Sequence, residues 1–203
     1  MYAIIYSVVS NPRDRMVVSA ALLIRERGAQ ATAISDVLKH SGAPRGSAYH
    51  YFPGGRTQLL EEATDYAAAY IADKISAAQS AGELLDDLIG MYRTQLVRTD
   101  YRAGCPVVAV TVEAGDPENP APTTRLIERA AAAFAQWTDL IGQRLIVSGV
   151  SAERAEELAM LVTTSLEGAI IVARASRDVK PLDLIHSQLR TLLEAAERKP
   201  DDR

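Results

Sequence analysis

The stretch TAISDVLKHSGAPRGSAYHYFPGGR, Thr32–Arg56, decides the fold. Thr32 is placed to cap a helix whose apolar side is Ile34, Val37 and Leu38, and that helix ends at Ser41-Gly42. Gly42 permits the positive φ that a sharp helix-to-helix turn demands. Pro44 falls near the first turn of a second, short helix, where its missing N–H costs nothing. On that helix Ala48 and Phe52 are four apart and face a small core, which leaves Arg45, Ser47, Tyr49 and His50 to project outward. Pro53-Gly54-Gly55 breaks it. This is the profile of a helix-turn-helix reader of DNA, whose second helix enters the major groove while its neighbours hold phosphates.

Working outward, Asn11-Pro12 supplies an N-cap and a proline at the first helical position. Val17, Ala20, Ala21 and Ile24 then share one helical face up to about Arg27, and Gly28 is expected as a left-handed C-cap. The decapeptide before it, MYAIIYSVVS, has no basic leader and no cleavage site and is too short to span a bilayer, so residues 1–10 read as a flexible extension. From Arg56 a long helix carries Leu59, Leu60, Ala63, Tyr66, Ala67, Tyr70 and Ile71 to about Ala78. Further helices follow from Leu85, Leu88, Tyr92 and Leu96, and from Ile127, Phe134, Trp137 and Ile141, with the proline-rich acidic loop 114–122 before the latter. Cys105–Ala114 is rich in valine, but a lone strand among helices has no partner, and a short buried helix opened by Pro106 is expected instead. The fold class is all-α, with a helix-turn-helix domain over 11–55 and a larger helical domain over 56–203.

Net charge is −4 over 203 residues, but its distribution matters more. Residues 1–60 hold seven Lys/Arg against three acidic residues, and the remainder holds 15 basic against 23 acidic. A basic minority joined to an acidic body suits a DNA-binding unit attached to one that does not bind DNA. The single cysteine, Cys105, forms no internal disulfide, which fits a reducing cytoplasm, and burial is the expected role for it. His40, His50 and His186 are too scattered for a metal site, and no cofactor is expected. No phosphate loop, nucleophile elbow or paired histidine and nucleophile points to an enzyme.

The last two helices carry an oligomer signal. Leu158, Leu161, Val162, Ser165, Leu166, Ala169 and Ile170 recur at helical spacing, while Met160, Ile171 and Val172 make the opposite side apolar too. After a break expected at Lys180-Pro181, Leu182, Ile185, Leu189 and Leu192 form a second stripe. Two such helices pairing with their twofold copies would make a four-helix interface, built from Leu158, Val162, Ser165, Leu166, Ala169, Ile170, Leu182, Ile185, Leu189 and Leu192. The alternative is that both stripes complete this chain's own core.

Thr32, the Gly42 turn, the run Gly46–Phe52 and the Gly55–Leu59 helix entry together resemble the TetR family of one-component bacterial transcription regulators. Arg102–Pro106, Phe134–Trp137 and Leu166–Ala169 resemble its lincomycin-resistance-repressor branch. Two positions depart from the pattern: Leu38 stands where a small residue is usual, and Pro44 replaces a capping Ser or Thr. The resemblance implies a homodimer whose larger domain holds a small, largely apolar effector that releases the operator, with an activator, or a ligand-binding protein without a DNA role, as the alternatives. It implies phosphate contacts from Thr32, Tyr49 and Arg56, the last standing where lysine is commoner. Arg45, Gly46, Ser47 and His50 would lie against bases or backbone; the planar fork of Arg45 suits guanine and phosphate alike. It also implies a pocket, for which Tyr66, Tyr70, Leu88, Tyr92, Cys105, Phe134, Trp137, Leu161 and Ser165 are the candidates. Thr164, Ser165 or Gln95 would supply its polar anchor, and plain core is the alternative role for its aromatics.

Overall fold

The computed structural model describes residues 11–197 apart from Ala114 and Asp116, so the expectation for residues 1–10 lies outside the described residues. Every helix expected from the sequence is present: α1 (Pro12–Arg27), α2 (Ile34–Ser41), α3 (Ser47–Tyr51), α4 (Gly55–Ala77), α5 (Ala81–Arg98), α6 (Pro106–Thr111), α7 (Ala121–Val147), α8 (Ala152–Ser176) and α9 (Lys180–Glu197). The valine-rich segment is indeed the short helix α6 opened by Pro106.

The described residues form two compact units that interleave along the chain. The first takes the residues up to Ala68 together with Pro106–Ala131; the second takes Ala69–Cys105 and the residues from Ala132 onward.

In the first unit, Asn11 Oδ1 accepts the Arg13 N–H at 2.9 Å and starts α1 as expected. Seven consecutive residues, Met16–Leu22, are buried, a wider face than the periodicity suggested, because α1 packs against both α2 and α6. Arg13 reaches α4 with two bonds to Glu62, at 2.7 and 2.8 Å, and its guanidinium lies 5.2 Å from the centroid of the buried Phe52 ring. Arg125 and Arg129 of α7 pair with Glu61 and Asp65 of α4.

Three local expectations are corrected. Ala33, not Thr32, is the N-cap of α2, and no side chain caps it. The Thr32 hydroxyl instead turns inward to the Gly28 carbonyl at 2.7 Å, because the carbonyl left open at the end of α1 lies within its reach. Gly28 has φ 87° but ψ 165°, an extended rather than left-handed conformation that is essentially glycine-only. Pro181 does not separate the last two helices but lies in the first turn of α9; the break is Arg177, with φ 53°, and the Asp178 carboxylate that accepts the Lys180 N–H.

In the second unit α9 packs on α8 and α5, and α8 on α5. The stripes assigned from sequence to a partner copy are used here: Leu158, Val162, Leu166, Ala169, Ile170, Leu182 and Leu189 are buried within the chain. Ser165 and Ile185 are half-buried, and Leu192 is 39% exposed. Periodicity marks an apolar face without saying whose core it enters, and here α5 and α9 reach it first. On α8 the residues left open are Met160, Leu161, Ile171 and Val172, and on α9 Leu184 is exposed as well. By length and composition alone α8 is apolar enough to cross a membrane; its buried side shows it to be a core helix with one uncovered face.

Candidate nucleic-acid interface and interior cavity

The short helix α3 is fixed from behind. Ala48 and Phe52 are each 1% exposed, and Gly42, at φ 67° and ψ 17°, makes the left-handed turn between α2 and the segment that leads to α3. Pro44 does not enter the helix; its carbonyl accepts both the N–H and the hydroxyl of Ser47, at 3.0 and 2.6 Å. Arg45 and Gly46 therefore lie in the turn before α3 rather than on it. With the back anchored, the front is open: Arg45, Gly46 and His50 are exposed, and Tyr49 is 71% exposed despite its apolar ring. Residues at the N-terminal end of a recognition helix are the ones that approach base edges, and a cation, a phenol and an imidazole gathered there suit bases and phosphates. Ser47 is half-buried and its hydroxyl is engaged by Pro44.

Thr32 and Arg56 stand apart from this face. Thr32 is 1% exposed. Arg56, on the first turn of α4, spends Nε on the Thr32 carbonyl at 2.9 Å and Nη2 on the carbonyls of Ala29 and Gln30. Glu113, two residues beyond α6, accepts the Gln30 N–H at 2.9 Å. It fills the space beside Gly28, where an added Cβ would lie 1.8 Å from its Oε1. The loop joining α1 to α2 is thus stapled by a cation through its carbonyls and by an anion through its N–H. Neither staple was visible in the sequence, since Arg56 and Glu113 lie far along the chain from that loop.

The second unit holds a small, partly open cavity, about 20 Å³, room for roughly one water. Its wall comes from Ile71 and Ile75 of α4, Leu88 and Tyr92 of α5, Trp137 and Ile141 of α7, and Val162, Thr163, Leu166 and Glu167 of α8. Of the pocket candidates, Leu88, Tyr92 and Trp137 are in this wall. Phe134 stands behind it, edge-on to Trp137 at 5.4 Å. Tyr70 and Leu161 are exposed, Ser165 is not in the wall, and Tyr66 belongs to the first unit. The expected polar anchors are engaged elsewhere: Gln95 donates to the Gly104 carbonyl at 2.9 Å, and Thr164, exposed, donates to the Met160 carbonyl.

The acid in the wall is Glu167. The residue as a whole is half-buried, but its carboxyl end is turned inward, and Oε2 is buried without a hydrogen-bond partner. Burial pushes its pKa up to about 7, outweighing the hydrogen bond from the Cys105 thiol, which pulls the other way. Cys105 is buried, outside the wall, bonded to the acid that lines it. A sequence signal did exist: in the apolar run Ala159–Ser176 the only charges are Glu167 and Arg174. Among the described residues no group of three or more His, Cys, Asp or Glu gathers as metal ligands would.

An open basic turn-and-helix face on a small helical unit, joined to an all-helical unit with an interior cavity, defines a helix-turn-helix transcription regulator rather than an enzyme. Residues 17–63 match the bacterial regulatory proteins of the tetR family, and residues 81–188 match the C-terminal domain of LmrA/YxaF-like transcriptional regulators. The chain belongs to the TetR family, with a C-terminal domain of the LmrA/YxaF-like kind. It is 63% identical over 185 residues, 91% of this chain and 95% of the other, to an uncharacterized HTH-type transcriptional regulator of Mycobacterium tuberculosis. It is 29% identical over 187 residues, 90% of this chain and 97% of the other, to the HTH-type transcriptional regulator LmrA of Bacillus subtilis. Among solved structures it resembles a TetR transcriptional regulator from Chloroflexus aurantiacus, with a TM-score of 0.71 at 26% identity, covering 90% of this chain and 94% of that one. A regulator from Legionella pneumophila shares the fold, with a TM-score of 0.74 at 18% identity, covering 91% of this chain and 98% of that one.

Proposed function

We propose that this regulator is a cytoplasmic repressor that binds a near-palindromic operator as a homodimer and is released by a small, largely apolar effector. The observation that carries the reading is the open face of Arg45, Tyr49 and His50, side chains with donors to offer and the family's DNA-reading position to offer them from. Tyr49 and His50 set register through phosphates while Arg45 meets a base edge or a phosphate. Thr32 and Arg56 hold the α1–α2 loop that leads into the helix-turn-helix. The partner copy docks on the uncovered side of α8, where Leu161, Ile171 and Val172 are between 40% and 54% exposed. The cavity wall of the second unit receives the effector, which acts by binding the DNA-incompetent arrangement more tightly.

A gel-shift titration on the DNA upstream of its own gene tests this reading. Specific retention is expected to fall with salt at a log–log slope on the order of −5, for about three phosphates neutralised per subunit. Arg45→Ala/Tyr49→Ala should abolish specific retention while leaving the dimer intact in sedimentation; unchanged retention overturns the site. Ile171→Glu should sediment as a folded monomer, and a persistent dimer overturns the α8 face.

A further inference from the structure

An apolar core does not need a carboxylic acid, and this one is costly. Among the described residues Oε2 of Glu167 is buried without a hydrogen-bond partner, and the thiol of Cys105 bonds to the carboxyl. A leucine of similar bulk would pack there without that cost. The acid is also aimed: Glu167 is part of the wall of the cavity in the second unit, whose other members are aliphatic or aromatic apart from the Thr163 hydroxyl. That hydroxyl is already committed, donating to the Ala159 carbonyl at 3.0 Å and lying 3.3 Å from the hydroxyl of Thr138. No basic side chain lines the space.

These facts restrict the occupant. An anion would meet a carboxyl and no cation, so a carboxylate or phosphate ligand is disfavoured. A bare hydrocarbon would leave Oε2 as it is, buried and unsatisfied. A protonated amine supplies both a donor and a charge, and the faces of Tyr92 and Trp137 in the same wall attract cations as well.

We infer that the effector is a lipophilic amine, its ammonium N–H donating to Glu167 Oε2 and its hydrocarbon body lying against Ile71, Leu88, Trp137 and Ile141. The inference rests on the effector-controlled reading given above. The free cavity admits little more than a water, so such a ligand must widen it by shifting the side chains or helices of its wall, as an effector favouring a second arrangement should.

Trp137 is the chain's single tryptophan and lines the cavity, so its emission reports occupancy. The full-length protein is titrated at pH 7.5 with benzylamine, 2-phenylethylamine and 4-phenylbutylamine, and with the alcohols and carboxylates of the same skeletons, by fluorescence and calorimetry. Amines should bind at least about tenfold more tightly than the matched alcohols, with the carboxylates weakest. Glu167→Gln should erase that preference, bringing the amines down to the level of the matched alcohols. Glu167→Leu, expected to melt higher than the parent, should do the same and serves if the glutamine variant folds poorly. Equal binding of amine and alcohol by the parent protein, or an amine preference that survives both substitutions, overturns the amine assignment and leaves the effector reading standing. Binding by none of the three series overturns both.

Discussion

The two units place their polar chemistry in opposite positions. In the first, Arg45, Tyr49 and His50 stand outside, on α3 and the turn that leads into it, with Ala48 and Phe52 holding α3 from behind; in the second, the decisive group, Glu167, is inside. An exposed donor costs little until its partner arrives, so a reader can be changed without cost to the fold. A buried acid without a partner weighs on stability at all times, and its chemistry can be read from an unfolding curve before any ligand is known.

Five substitutions break or sharpen that contrast, and Glu167 comes first. Its folded pKa, pushed up to about 7 from the usual 4.5, means the folded protein keeps a proton that the unfolded chain releases between those values. Stability should therefore fall as pH rises from about 4.5 to 7 and level off above, by about 3 kcal/mol at most. Urea unfolding across pH checks this, and Glu167→Gln should remove that component. A parent protein whose stability does not fall over this range would show that the acid is solvated.

Gly28→Ala comes next, at about 2 kcal/mol, because φ 87° with ψ 165° strains any side chain. It would also push the Glu113 carboxylate off the Gln30 N–H. Adding Glu113→Ala relieves the collision but not the backbone, so most of the loss should persist in thermal melts. Arg56→Ala should cost about 1 kcal/mol, since its three bonds to carbonyls are partly open to solvent. Smallest is Arg45→Ala, expected to change unfolding by less than about 0.5 kcal/mol while weakening operator binding. An Arg45 loss as large as that of Arg56 would erase the distinction between reader and staple.

Where local chemistry decided the structure, the sequence was legible. Asn11-Pro12 and Gly28 bracket α1, Gly42 sets its turn, and Pro106 opens α6, because caps and backbone restrictions act within a few residues. What escaped turns on hydrogen-bond and packing choices that no residue pattern announces, some made a few residues away and others by neighbours distant in the chain. The inward turn of Thr32 follows from a carbonyl of the preceding loop, and the choice of core face on α8 from α5 and α9. Arg45 fell outside α3 because Pro44 offers its carbonyl to Ser47 and delays the helix. The partnership of Cys105 with Glu167 has no periodicity to announce it, and a single acid in an apolar helix reads as the edge of a stripe until the wall around it is seen.

The interleaving of the units limits how such a protein can be recombined. The chain passes between them three times, inside α4, between Cys105 and Pro106, and inside α7. The C-terminal match, residues 81–188, therefore carries Pro106–Ala131, which folds with the DNA-reading unit and contains the α6 that covers α1. A single crossover after α3 or α4 would give a chimera whose α1 meets a stranger's α6 and whose Gly28 faces whatever side chain replaces Glu113. A reader transplanted from this protein keeps its own packing only if residues 106–131 travel with it.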